Sequence, residues 1–293
     1  MNNDRLLYRR GILQLVASGF FLSTSGIALR IIEQADGWQI LFYRSITLSV
    51  TILLILVFLK GSRFFDEFRG LEWNDCLLAV FLGTGFVAYV FALLYNTVAN
   101  ALFIFSCAPF VAGFLGWILL GERVATRTWF AIGVAMAGLA VMVGSELAVS
   151  RYLGTLIALW IPIAYAASII AVRSSKRENM LAALCLAGLV SGGLSAIFVT
   201  DYALTPRDLI ISLYLGVFQV GVGFTLVVLG SRYVPAAQVG LLAMVEPVLA
   251  PIWVWMGVGE VPGLATIVGG AIIFLAITID GILNIKSSES NSA

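Results

Sequence analysis

No histidine occurs anywhere in the 293-residue chain. That absence removes HExxH zinc chemistry and every Ser-His-Asp triad, because both need an imidazole. Nothing matches GxxxxGK[ST], the loop whose backbone N–H groups cradle phosphates, so ATP drive is not expected. Charge is scarce too: Asp, Glu, Lys and Arg make up 11% of the residues and the formal net charge is +1, which leaves no basic footprint for nucleic acid. The acidic residues are too dispersed for an evident intramembrane dyad. Three cysteines, Cys76, Cys107 and Cys185, follow neither a metal-ligand nor a paired spacing and read as small hydrophobes. No cofactor is expected.

Apolar surface is what the chain has in excess. At 61% hydrophobic residues and a mean hydropathy of +1.03, the composition excludes a soluble globule. A membrane span needs about 20 apolar residues. Such runs fall at 11–31, 38–59, 75–95, 99–120, 127–147, 152–173, 179–200, 207–230, 236–257 and 262–284, which predicts an all-α polytopic membrane protein with ten transmembrane helices. The first run follows Arg5, Arg9 and Arg10 as a signal sequence would, but it is too long and lacks a small-residue cleavage site, so it reads as the first span. With the N-terminus in the cytoplasm, thirteen Lys and Arg residues fall on inside ends and loops, and only Arg30, Arg151 and Arg207 fall outside. That bias predicts that both termini are cytoplasmic.

The chain is also duplicated. Moving forward 138 positions carries Gly83 to Gly221, Gly85 to Gly223, Phe86 to Phe224, Tyr95 to Tyr233, Pro109 to Pro247, Trp117 to Trp255, Gly121 to Gly259 and Glu122 to Glu260. At an offset of 143, Gly11 meets Gly154, Ala28 meets Ala171 and Arg30 meets Arg173. Each copy holds five predicted helices, with 1–148 as the first repeat and 149–293 as the second. Five is odd, so the second copy enters the membrane from the opposite side. Two inverted five-helix repeats are the architecture of many secondary transporters, whose substrate sites lie near the midplane between the repeats.

The segments SCAPFVAGFLGWILLGERVATRTWFAIGVAMAGLAVMV at 106–143 and MVEPVLAPIWVWMGVGEVPGLATIVGGAIIFLA at 244–276 carry a family resemblance. In each, a Pro is followed at the twelfth and thirteenth positions by Gly-Glu; the ninth helix adds Glu-Pro, and the second helix carries an Arg in FYRS at 42–45. The chain resembles, over essentially its whole length, the drug/metabolite transporter superfamily in its ten-helix EamA branch. The resemblance implies export of small metabolites, amino acids or drugs through a central cavity lined mainly by helices 1, 3, 4, 6, 8 and 9, and a bacterial inner-membrane location. The pattern departs from exact duplication at Arg123, which meets Val261, and at Arg44, whose counterpart lies near Ala187 or Gly188.

Glu246, beside Pro247 near the middle of the ninth helix, is the leading site candidate. An ionisable group at membrane depth must face a bundle interior or a watery cavity. There it can exchange a proton or pair with a cationic substrate group; the competing reading is a carboxylate bonded to a neighbouring helix. Trp253, seven residues on, is expected on the same face. Further candidates on the expected cavity helices are Ser25 in the first, Tyr89 in the third, Asn100 in the fourth, Trp160 and Tyr165 in the sixth and Gln219 in the eighth. Individual Ser and Thr residues in such helices more often bond their own backbone. Arg44 has two readings, a substrate-carboxylate ligand or a brace near Glu33 or Asp36; because the resembled family does not use the second helix as a cavity wall, the brace is preferred.

The expected function is a secondary transporter exporting a small organic metabolite by alternating access, with an uptake carrier or exchanger of the same fold as the alternative; the bilayer is its surroundings, protons are candidate coupling ions, and a monomer or homodimer is its assembly. An intramembrane enzyme lacks its catalytic side chains, and a non-transporting scaffold leaves the mid-membrane Glu unexplained. Sugar phosphates call for several cationic side chains in the cavity, and only Arg44 lies within a span.

Overall fold

The computed structural model describes residues 2–95, 98–143, 152–177, 180–259 and 261–290, and these are helical or connecting turns with no strand. The first span is α1 (Asn2–Leu22) continued by α2 (Ser25–Arg30), and the second is α3 (Gly37–Lys60). A short 3₁₀ turn and α4 (Phe64–Arg69) lead to the third span, α5 (Trp73–Tyr95). The fourth is α6 (Val98–Phe105) with α7 (Ala108–Leu120), the fifth α8 (Thr126–Val143), the sixth α9 (Tyr152–Ser174) and the seventh α10 (Leu181–Phe198). The eighth comprises α11 (Pro206–Tyr214), a π-helical stretch Leu215–Val222 and α12 (Gly223–Ser231). The ninth is α13 (Ala236–Ala243) with α14 (Val245–Val258), and the tenth is α15 (Leu264–Ser290). Among the described residues nine helical stretches are long and apolar enough to cross a membrane, and Thr126–Met142 in the fifth is a shorter apolar helix. Together they make the ten-helix fold; the junction between the two expected repeats, at 148/149, lies outside the described residues.

The duplicated residues make duplicated local structure. The fourth span breaks at Ser106–Cys107 and the ninth at Met244, positions 138 apart. Each break is followed by a proline, Pro109 or Pro247, whose missing N–H cannot continue the helical ladder back to Phe105 or Ala243. Both spans then end on a left-handed glycine, Gly121 at φ +66° and Gly259 at φ +75°, a conformation that a Cβ would strain. The first span breaks at Ser23–Thr24, whose hydroxyls each donate to a carbonyl one turn back, Phe20 and Phe21, at 2.7 Å.

The two halves interleave. The principal neighbour of α3 is α10, of α5 is α9, of α8 is α15 and of α1 is α12; α7 lies between α9 and α13. Lipid tails are as apolar as Leu, so such contacts depend on close fit and small residues. At the α1–α12 crossing a Cβ on Gly230 would stand 2.9 Å from the Gly11 carbonyl oxygen and 3.0 Å from Leu15. Gly230→Leu is therefore expected to destabilise the protein by about 1–3 kcal/mol, the usual cost of overpacking. Gly133, where an added Cβ meets nothing within 4 Å, supplies the control. A lowered melting midpoint for Gly230→Leu beside an unchanged Gly133→Ala checks this expectation.

Polar ties fasten the two ends of the bundle. At the end carrying the 31–36 loop, the buried Asp208 carboxylate accepts backbone N–H bonds from Glu33 at 2.9 Å, Gln34 at 3.0 Å and Ala35 at 3.1 Å. Asp36 caps α3 by accepting from Gln39 N at 2.8 Å while the Gln39 side chain accepts from Asp36 N at 2.9 Å. Glu33 pairs with Arg207. At the opposite end, Arg177 reaches both Glu67 and Asp75 at 3.0 Å, locking the loop after α9 to α4 and the start of α5. Beside it Arg173 pairs with Glu122 and donates to the Ser231 carbonyl at 3.0 Å and to the Val234 carbonyl, while Glu122 also accepts from Ala236 N at 3.0 Å. One ion pair thus joins the ends of α7 and α9 to the α12–α13 turn.

Candidate functional site

The ninth-span break brings Glu246 into the first turn of α14, where it is 5% exposed. The Tyr89 hydroxyl on α5 donates to Glu246 Oε1 at 3.0 Å, and Ser25 at the start of α2 lies 3.1 Å from the same hydroxyl. Ser25, Tyr89 and Glu246 therefore form a hydrogen-bonded chain across the first, third and ninth spans. Around it lie two adjacent spaces. A narrow inner pocket of about 50 Å³ is bounded by Arg44, Phe86, Tyr89, Tyr165, Gln219, Phe224 and Glu246. A vestibule of about 700 Å³ extends from Tyr89 and Glu246 past Ala250 and Val254 to Arg30 and the 33–35 loop. Tyr89 and Glu246 border both spaces and so stand at the neck between them.

Arg44 is 2% exposed, and its guanidinium lies over the Phe86 ring, 5.5 Å from the centroid. The expected brace is therefore corrected: Glu33 is held by Arg207, Asp36 by the α3 cap, and Arg44 faces the inner pocket. The second span enters the pocket because the Gly216 backbone lets α3 approach closely. A Cβ there would stand 2.6 Å from the Arg44 carbonyl oxygen. Gln219, in the π-helical stretch, is 3% exposed, and its Oε1 has no hydrogen-bond partner. Tyr165 is buried, edge-on to Phe105 at 5.5 Å and to Phe224 at 6.4 Å.

Two expected wall residues point elsewhere. The vestibule wall of α14 is the stripe Glu246, Pro247, Ala250, Pro251 and Val254; Trp253 sits at its flank and turns to the first span. There its indole N–H donates to Ser23 Oγ at 2.8 Å, and its ring meets Phe20 edge-on at 5.0 Å. Trp160 is 37% exposed, donates to Thr84 Oγ1 at 3.0 Å and stacks on Phe81, away from both spaces. The Asn100 side chain lies outside the described residues. Ser18, Ser106, Ser168 and Thr225 bond carbonyls of their own helices, as helical Ser and Thr commonly do.

Phe86 and Phe105 were not singled out from the sequence as pocket residues. Phe86 did leave a signal, because its duplicate is Phe224 and the two rings meet edge-to-face at 4.8 Å inside the pocket. Among the described residues no group of three or more Cys, Asp and Glu side chains is placed to hold a metal ion.

Comparison with known proteins agrees with this architecture. The model of the EamA-like transporter family matches the chain twice, over residues 9–144 and 152–279. The chain is 28% identical over 239 residues to an uncharacterized transporter of Archaeoglobus fulgidus, an alignment covering 80% of this chain and 86% of that protein. It is 27% identical over 182 residues to the uncharacterized transporter YwfM of Bacillus subtilis, covering 59% of this chain and 60% of the relative. A solved crystal structure of a protein shares the fold with a TM-score of 0.81 at 19% identity, covering 94% of this chain and 98% of the other.

Proposed function

Because the chain belongs to the EamA-like transporter family and is a multi-pass membrane transporter, we propose that it exports a small organic metabolite, an amino acid, amine or drug-like compound, by alternating access. The observation that carries this reading is Glu246, a buried carboxylate reachable from the vestibule and bonded by Tyr89 at the neck of the inner pocket. A proton and a cationic substrate group compete for such a carboxylate. Binding one on each side of the membrane, in turn, couples inward proton flow to outward substrate flow.

The two halves act as inverted repeats in this proposal. The principal helix pairings support it: α1 with the eighth span and α5 with the sixth exchange when the halves are swapped, while the second–seventh, fourth–ninth and fifth–tenth pairings map onto themselves. The basic residues favour cytoplasmic termini in a bacterial inner membrane. The 31–36 end then faces outward, and the Glu122–Arg173 end closes the cytoplasmic side. The test is counterflow in proteoliposomes, with labelled amino acids and amines outside and excess unlabelled compound inside. Transient uptake of label above its equilibrium level is expected for at least one compound. Release of a chemically altered product without exchange would instead indicate an enzyme.

A further inference from the structure

Arg44 and Gln219 carry an inference that rests on the transporter reading and narrows its substrate. A guanidinium presents five N–H donors in a planar fork that matches a carboxylate, and a buried charge is costly when it lacks a counter-charge. Arg44 is 2% exposed, and among the described residues it has no hydrogen bond or ion pair. The face of Phe86 attracts the cation but leaves the donors of the fork unused. The Gln219 amide oxygen in the same pocket is likewise without a partner, at a site 3% exposed. Glu246, the carboxylate bordering the same pocket, is bonded by Tyr89 and makes no ion pair with Arg44, so among the described residues the protein supplies a fork without a paired anion and an amide oxygen without a donor.

We propose that Arg44 and Gln219 form a carboxylate subsite. The substrate carboxylate takes the Arg44 fork, and an N–H or O–H on the neighbouring atom donates to Gln219. The apolar body rests against Phe86, Tyr165 and Phe224. The ligand class is a monocarboxylic acid with an amino or hydroxyl group beside the carboxylate. A single guanidinium in an apolar surround suits one negative charge rather than a phosphate, and it repels a simple amine.

The test uses four ligands that share one apolar body: phenylalanine, phenyllactate, 3-phenylpropionate and phenethylamine. Binding to the purified full-length protein is measured by titration calorimetry. Phenylalanine and phenyllactate are expected to bind at least about tenfold more tightly than phenethylamine, the scale of a charge-assisted contact. Arg44→Gln should weaken the three carboxylates by about the same factor and should not weaken the amine. Gln219→Met should narrow the advantage of phenyllactate over 3-phenylpropionate. If Arg44→Gln does not fold, Arg44→Lys, which keeps the charge and loses the fork, is expected to show the same carboxylate-selective weakening. Phenethylamine binding as tightly as phenylalanine, unchanged carboxylate affinity in the Arg44 variants, or no binding by any of the four overturns the subsite. Arg44-independent counterflow of a carboxylate-free compound would remove the subsite and keep the carrier. Counterflow of no compound would remove the carrier reading itself.

Discussion

Glu246→Gln should give a protein that still exchanges substrate across the membrane but no longer drives it uphill when a pH gradient is imposed. Glutamine is nearly the shape of glutamate and keeps an oxygen to accept from Tyr89, so the chain from Ser25 through Tyr89 survives. What is lost is the capacity to take up and release a proton, together with the negative charge that pairs with a cationic substrate group. The other ionisable groups bordering the inner pocket are the phenols of Tyr89 and Tyr165 and the guanidinium of Arg44, all of which ordinarily ionise well above neutral pH. Under the proposed coupling, Glu246 is therefore the group in this pocket assigned to carry the proton. Gradient-driven transport is expected to fall at least about tenfold, equivalent to about 1.4 kcal/mol of lost coupling. Counterflow, which needs no net proton movement, should persist. Reconstituted vesicles assayed with and without an imposed gradient separate the two quantities, and full gradient-driven transport by the variant would reject the coupling role.

Arg173→Met is expected to have the largest effect on stability. The Arg173 and Glu122 side chains are each 17% exposed, and Arg173 satisfies carbonyls at Ser231 and Val234 in addition to the ion pair. Methionine keeps the apolar stem of the arginine but leaves Glu122 without its counter-ion and both carbonyls without that donor. Breaking a largely buried pair from one side costs roughly 3–5 kcal/mol, and partial exposure moves the expectation to about 3 kcal/mol. Adding Glu122→Gln to that background should recover part of the loss, since the stranded charge is gone. The thermal midpoints of the two single variants and the double variant form the cycle that measures this coupling. Additive losses would show that the pair is not energetically coupled.

The second effect of Arg173→Met concerns conformation. The clamp lies at the end of the bundle opposite the vestibule, so weakening it should favour states open at that end. A higher rate of thiol labelling from the clamp side, at a cysteine introduced along the inner half of α13, would report this shift.

The architecture was legible because membrane burial imposes length. Each span must run about 20 apolar residues, and the 138-residue repeat set Pro109 against Pro247, the two prolines that follow the breaks in the fourth and ninth spans. Glu246 was legible for the same reason: a carboxylate in such a run has few tolerable surroundings. Arg44 was misread because its surroundings depend on Gly216, 172 positions later, which lets α3 approach the eighth span. The two tryptophans were misread for a different reason. Helical spacing assigns a side chain to a face, whereas the flank of the Glu246 stripe belongs to the first span, whose Ser23 offers the Trp253 indole an acceptor. Trp160 found its acceptor in Thr84 on α5. The Arg173–Glu122 clamp was half-visible, as a Gly-Glu written in both copies, but no spacing rule connects residues 51 positions apart.

The crosswise pairing of helices also bears on how the protein is made. A ribosome delivers spans in order, and when the fifth has entered the bilayer, none of α9, α10, α12 and α15 yet exists to meet its partner. The notch at Gly11, later filled by α12, then faces lipid. A half-made chain is thus a set of inserted helices awaiting neighbours rather than a small finished domain, and its consolidation is deferred until the second half has been made.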